Sequence, residues 1–135
     1  GRRALLNLGH TFAHALEAEA GYDGRLLHGE AVAIGLVMAH DLSARLGLVD
    51  HGDVARVQGF IAKAGLPTSP AFPSNQAPSV ARMLLHMRKD KKASAGQMTF
   101  ILSRALGHAF QSRDVPLDCL QDTLLAAGCP AGAPA

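Results

Sequence analysis

The chain lacks tryptophan, and aromatic residues make up only 4% of its 135 residues. Its net charge is only +2, whereas nucleic-acid-binding domains usually combine a strong basic patch with stacking aromatic side chains. The longest strongly apolar run, residues 31–39, is far shorter than the roughly 20 residues of a membrane-spanning helix. These absences argue against nucleic-acid and membrane partners.

Cysteine is also scarce, and neither of its two positions, Cys119 and Cys129, belongs to a CxxC motif. No signal-peptide pattern opens the chain, so an oxidising compartment is not required and a cytoplasmic protein is expected. Apolar residues nevertheless reach 48%. A chain of this length and composition is expected to bury a core of aliphatic side chains in one domain.

Apolar residues recur at helical spacing through most of the chain, which predicts a mainly α fold. A short β-hairpin is predicted within residues 97–115, turning near Gly107. Residues 1–127 are expected to form the single domain, and the Pro-, Gly- and Ala-rich residues 128–135 a flexible tail. A polar connector is predicted over residues 88–96. The predicted helices cover residues 4–20, 27 or 28 to about 46, 50–64, 79–87 and 116–127.

Three of the seven histidines fall in the first 28 residues. His10 and His14 are four residues apart, so a helix places them on one face, and His28 follows fourteen residues later. Imidazole is both the commonest protein metal ligand and a good proton carrier near neutral pH. Two interpretations stay open from these residues alone: two histidines bind a metal while the third transfers protons, or all three are ordinary polar helix residues.

The residues around the histidines narrow the chemistry only slightly. Thr11 stands where the zincin motif HExxH requires glutamate, which disfavours a metalloprotease. Glu17 and Glu30 are either partners of the metal-binding histidines or solvated carboxylates, and solvation is expected for Glu17.

Cationic and amide side chains in two parts of the chain suit an anionic substrate. Arg3 offers a forked donor for a carboxylate or phosphate, and Asn7, one turn later, both donates and accepts hydrogen bonds. Lys91 and Lys92 lie in a basic run in which either lysine could contact a phosphate. A solvated surface is the alternative for both groups.

Taken together, these motifs resemble 3-dehydroquinate synthase, and specifically its C-terminal helical domain. The similarity extends over nearly the whole chain, in the same order. The residues that carry it are Arg3-x-x-Leu6-Asn7-x-Gly9-His10-Thr11-x-x-His14-Ala15-x-Glu17, His28-Gly29-Glu30-Ala31-Val32-Ala33-x-Gly35, Asp90-Lys91-Lys92, Gly96-Gln97-Met98 and the stretch 102–107.

The resemblance implies an activity in the shikimate pathway of aromatic amino acid biosynthesis. The family converts 3-deoxy-D-arabino-heptulosonate 7-phosphate into 3-dehydroquinate and phosphate, using NAD and a divalent metal, Zn²⁺ or Co²⁺. It further implies one role for each matching position. His10 and His28 would be metal ligands, His14 the acid/base and substrate-contacting histidine, Arg3 and Asn7 substrate contacts, and Lys91 or Lys92 the phosphate contact.

The family also uses parts that these residues do not contain. Its third metal ligand is a glutamate upstream of the first motif, and NAD is bound mainly by an N-terminal domain. The 135 residues alone are therefore expected to be inactive, and the full-length enzyme is expected to act on a small sugar phosphate as a homodimer. Alternatives are a related sugar-phosphate cyclase, a more distant alcohol or glycerol dehydrogenase, and a non-catalytic helical binding or dimerisation module.

Overall fold

The computed structural model describes the backbone of residues 10–20, 26–71, 77–89, 100–105, 108–112 and 116–131, and the side chains of residues 11–20, 26–71, 77–87 and 116–131. Within these ranges, no helix is long and apolar enough to cross a membrane. The elements are helices α1 (His10–Ala20), α2 (His28–Arg45), α3 (His51–Lys63) and α4 (Val80–Lys89), strands β1 (Phe100–Ala105) and β2 (His108–Ser112), and helix α5 (Leu117–Ala127).

Local capping interactions explain where the helices begin and end. The Glu30 carboxylate accepts a hydrogen bond from the Leu27 backbone N–H at 2.9 Å, which satisfies a donor at the start of α2. Ser79, at the start of the predicted helix 79–87, accepts the Arg82 N–H at 3.1 Å and so starts α4. Gly47 follows α2 with a φ of 78°, a left-handed conformation that glycine adopts without steric cost.

The main core lies where α1, α2, α4 and α5 meet. Apolar stripes of these helices are buried there, and Met38, Met83 and Met87 belong to them, since each is at most 1% exposed. Burial of these stripes supplies the dominant driving force for the packing. The other large side chains of this core are Phe12, Leu16, Ile34, Leu42, Leu120 and Leu124.

Helix α3 packs less completely than the others. A small second cluster joins Ala33 and Val37 of α2 to Ile61 of α3. Phe60, the residue before Ile61, is 77% exposed. This helix therefore attaches to the outer side of α2 by a narrow apolar strip.

The predicted β-hairpin is confirmed by an antiparallel pair, β1 and β2. In its register, Leu102 lies opposite Phe110, and an irregularity falls between Ser103 and Ala105. The predicted turn at Gly107 lies outside the described residues.

Two predicted boundaries need correction. Helix α4 continues to Lys89, so the residues after Met87 do not begin a polar connector at Arg88.

Cys129 is only 2% exposed, and the Val80 N–H donates to the Pro130 carbonyl at 2.8 Å. The chain after α5 thus packs on the core at first, and a flexible tail does not begin at residue 128. The assignment of residues 1–127 to one domain stays a prediction, and residues 4–9 of the first predicted helix lie outside the described ranges.

A polar contact joins α1 to α4 beside the core. Glu19 Oε1 accepts hydrogen bonds from His86 Nε2 at 2.7 Å and from Arg82 Nε at 3.1 Å. Burial opposes ionisation of Glu19, but the hydrogen bonds and positive charges of His86 and Arg82 outweigh it and hold its pKa below the ordinary value of 4.5. The ionised carboxylate is therefore the form that stabilises this helix pair.

We expect Glu19→Gln to lower the stability of the fold by about 1 kcal/mol at neutral pH, a modest cost because the Arg82 partner is exposed. A depressed folded-state pKa gives stability that is present above pH 4.5 and is lost as the pH falls through the folded-state value. The difference in unfolding free energy between wild type and variant should therefore shrink in acid. A difference that grows below pH 4 in denaturant titrations would contradict this assignment.

Candidate metal and substrate site

The candidate site begins on the outward face of α1. Phe12, Ala13 and Leu16 are at most 3% exposed and fix the opposite face against the core. His14 is exposed and Glu17 is half-buried. Because they are three residues apart on a helix, both side chains emerge on the same side. His10, four residues before His14, shares that face by backbone position.

His28 comes to this face because it is the first residue of α2. Leu26 is buried, and the Glu30 carboxylate accepts a hydrogen bond from the Leu27 backbone N–H. These two interactions fix the backbone that leads into α2. The His28 side chain is 62% exposed and that of Glu17 is 14% exposed. His28 Nδ1 lies 3.1 Å from Glu17 Oε2, which joins the start of α2 to the face of α1.

The expectation that Glu17 is merely solvated is wrong. An ionised carboxylate only accepts hydrogen bonds, so the contact assigns the ring proton to His28 Nδ1. Glu30 is occupied by the backbone at Leu27 instead. The spacing could have indicated the role of Glu17, because positions 10, 14 and 17 share one helical face. The partner of Glu17 depends on a contact between two helices, which the spacing does not show.

The donor chemistry at His28 fits a divalent metal of the zinc type. Metal-binding histidines commonly donate one ring N–H to a carboxylate, which sets the tautomer and leaves the other nitrogen as the ligand atom. Here Nε2 of His28 is that second nitrogen. Among the side chains that the structure describes, no group of three or more His, Cys, Asp or Glu residues could hold a metal ion. The described residues thus supply one oriented imidazole rather than a complete metal site.

Comparison with known proteins identifies the family. Residues 1–93 match the model of the family described as 3-dehydroquinate synthase C-terminal. The chain belongs to this family. A curated relative from Jannaschia sp. (strain CCS1), named 3-dehydroquinate synthase, is 50% identical over 124 residues, which cover 92% of this chain and 34% of the relative. The chain thus spans about a third of the length of such relatives.

Solved structures of sugar-phosphate cyclases share the fold. ValA, the 2-epi-5-epi-valiolone synthase from Streptomyces hygroscopicus subsp. jinggangensis 5008 with NAD⁺ and Zn²⁺ bound, is 26% identical with a TM-score of 0.74 over 90% of this chain and 32% of that chain. A 2-deoxy-scyllo-inosose synthase complexed with carbaglucose-6-phosphate, NAD⁺ and Co²⁺ aligns with a TM-score of 0.65 at 20% identity, over 87% of this chain and 32% of that one. The predicted mainly α fold is therefore confirmed.

All the predicted site residues fall within the segment that matches the family, but the match assigns no role to any of them. The structure brings His28 to the face of α1 that carries His14. It places His10 at the first position of α1, with its side chain outside the described set. The remaining predicted contacts also lie outside the described residues, so their roles stay predictions: Arg3, Asn7, Lys91 and Lys92.

Two histidines to which the sequence assigns no role have structural contacts. His86 pairs with Glu19 across α1 and α4. His40 is buried, and its Nδ1 lies 2.8 Å from the Leu36 carbonyl one turn earlier. Neither contact lies on the α1 face that carries His14 and Glu17. The spacing of Arg82 and His86 on one face of α4 was the only sequence signal for the first contact.

Proposed function

We propose that this chain is the C-terminal part of a 3-dehydroquinate synthase. In the complete protein it acts on 3-deoxy-D-arabino-heptulosonate 7-phosphate, giving 3-dehydroquinate and phosphate in the cytoplasmic shikimate pathway. The observation that carries the proposal is the family match over residues 1–93. The 50% identity to a curated synthase supports the same substrate, and the contact between Glu17 and His28 supports a metal at this face.

The residues of this chain would bind the metal, transfer a proton and hold the substrate. His10 and His28 would hold Zn²⁺ or Co²⁺, and His14, one turn from His10, would move a proton through its imidazole. Arg3 and Asn7 would hold the carboxylate and hydroxyl region of the substrate. The metal held by these histidines would supply Lewis-acid polarisation of the reacting alcohol, and bound NAD would supply hydride-transfer chemistry. A lysine, Lys91 or Lys92, would stabilise the departing phosphate.

The remaining parts of the catalytic site are proposed to come from elsewhere in the complete protein. They are a third metal ligand, a glutamate, and a domain that binds most of the NAD. The complete protein is proposed to be a homodimer, and residues 1–135 alone are proposed to be inactive. The structures of ValA with NAD⁺ and Zn²⁺ and of 2-deoxy-scyllo-inosose synthase with NAD⁺ and Co²⁺ support the use of NAD with a divalent metal.

The test is phosphate release by the protein expressed from its complete reading frame. With the heptulosonate phosphate and NAD, we expect steady phosphate release that a chelator stops and added Zn²⁺ or Co²⁺ restores, because the metal polarises the reacting oxygen. Omission of substrate is the matched control for contaminating phosphate. Release that continues unchanged after the chelator has removed all metal, as verified by elemental analysis, would refute a metal-dependent synthase.

The second candidate is a sugar-phosphate cyclase that forms another ring. It is favoured by the TM-score of 0.74 to ValA, but identity to that enzyme is 26% against 50% for the curated synthase. The same assay separates them. Phosphate release from a different sugar phosphate, with none from the heptulosonate phosphate, would establish this second candidate, and no release from either would favour a non-catalytic helical module.

A further inference from the structure

We propose that Glu17 is a positioning residue that holds the His28 ring in the tautomer and orientation needed to bind the metal through Nε2. This inference rests on the proposed function, since it takes His28 as a metal ligand. It adds a residue to the site for which the resemblance implies no role. Glu17 acts only through His28.

Most of the His28 side chain is exposed to solvent. With 62% of its side chain exposed, the ring is not oriented by close packing. The terminal torsion of histidine is broad, and the neutral ring has two tautomers. A ligand atom therefore needs a hydrogen bond on the other ring nitrogen to define its position and its lone pair.

Glu17, by contrast, lies on a well-packed part of α1. Its side chain is only 14% exposed, and the preceding residue, Leu16, is 3% exposed in the main core. The carboxylate is thus carried by a helix that is fixed by packing, in contrast to the exposed ring that it contacts. Because α1 is fixed, the 3.1 Å contact between Glu17 Oε2 and His28 Nδ1 restrains the orientation of the His28 ring at the start of α2.

The other nearby carboxylate is used differently. Glu30 accepts the Leu27 N–H at 2.9 Å and so fixes the backbone at the first residue of α2, not its ring. Glu30 determines where His28 begins the helix, and Glu17 determines how its ring is turned. Within the described side chains, Glu17 is the acidic residue that contacts the His28 ring.

The experiment compares Glu17→Ala with wild type in the protein expressed from its complete reading frame. Alanine removes the acceptor for the Nδ1 proton, whereas glutamine would keep a carbonyl oxygen that can still accept it. We expect zinc affinity, measured by competition with a chromophoric chelator, to fall about 10- to 100-fold. In the metal-free protein, ¹⁵N spectra of the His28 ring should show the Nδ1–H tautomer in wild type and its loss in the variant.

Glu19→Ala is the matched control because it removes the same side chain and charge from the same helix two residues away. It should leave zinc affinity within about twofold, since Glu19 faces Arg82 and His86. Unchanged affinity and tautomer in Glu17→Ala, with wild type binding zinc and releasing phosphate, would overturn the positioning role alone. Failure of wild type itself to bind zinc or release phosphate would instead overturn the proposed function.

Discussion

Replacement of His28 by alanine is expected to lower phosphate release by the complete protein at least about 1,000-fold. In the proposed reaction the metal would contribute several kcal/mol as a Lewis acid, and each 1.4 kcal/mol corresponds to a tenfold change in rate. Loss of one imidazole from a three-ligand site leaves the metal too weakly held to act. The same variant should lose bound zinc on dialysis, as measured by elemental analysis.

His14→Ala is the contrasting variant for this prediction. His14 lies on the same face of α1 as Glu17 and is exposed, but its proposed task is proton transfer rather than metal binding. We expect it to lower kcat by about 10²- to 10⁴-fold while the zinc content stays near wild type. Full zinc content in His28→Ala would contradict its role as a ligand, and zinc loss confined to His14→Ala would show that the two histidines exchange these roles.

The helices could be predicted because their signals are local. The apolar stripe of α4 places Met83 and Met87 one turn apart, and Ser79 supplies the acceptor that starts the helix, so pattern and cap agree. Gly47 ends α2 for an equally local reason, its φ of 78°. Such signals depend on residues within a few positions of one another, and a single sequence contains them in full.

The contacts that join distant residues could not be predicted in this way. Glu17 and His28 are eleven positions apart, and their contact depends on how α1 packs against α2. Cys129 lies in a stretch of Pro, Gly and Ala whose composition suggests a tail, yet its side chain fills a place in the core. Composition reports average behaviour, whereas the burial of one residue depends on the shape of the core around it.

Helix α1 carries two carboxylates with different contacts, Glu17 at the candidate site and Glu19 against α4. Glu17 and Glu19 are two positions apart, so their side chains point in nearly opposite directions around the helix. Glu17 contacts His28 at the start of α2, and Glu19 contacts His86 of α4. The site face of α1 can therefore carry histidines while its other side is fixed to the core. The positions of the side chains at the candidate site therefore depend on how α1 packs on the core.

Leu124→Ala is accordingly expected to destabilise the fold by about 2–5 kcal/mol. Leu124 of α5 is 0% exposed and lies in the core cluster that also contains Ile34 and Met38 of α2. Truncation removes buried methyl groups and leaves a cavity that the four packed helices can close only in part. The measurement is amide hydrogen exchange in the complete protein, in which the opening free energy of α2 should fall by that amount.

Leu125→Ala is the matched control, because it makes the same chemical change at the next position of α5. Leu125 is 47% exposed, so little packing is lost and the opening free energy should change by less than about 1 kcal/mol. Since α2 begins at the proposed metal ligand His28, the loosened core of Leu124→Ala should also weaken zinc binding, whereas Leu125→Ala should not. Equal effects of the two variants on exchange in α2 would show that α5 does not support the site through this core.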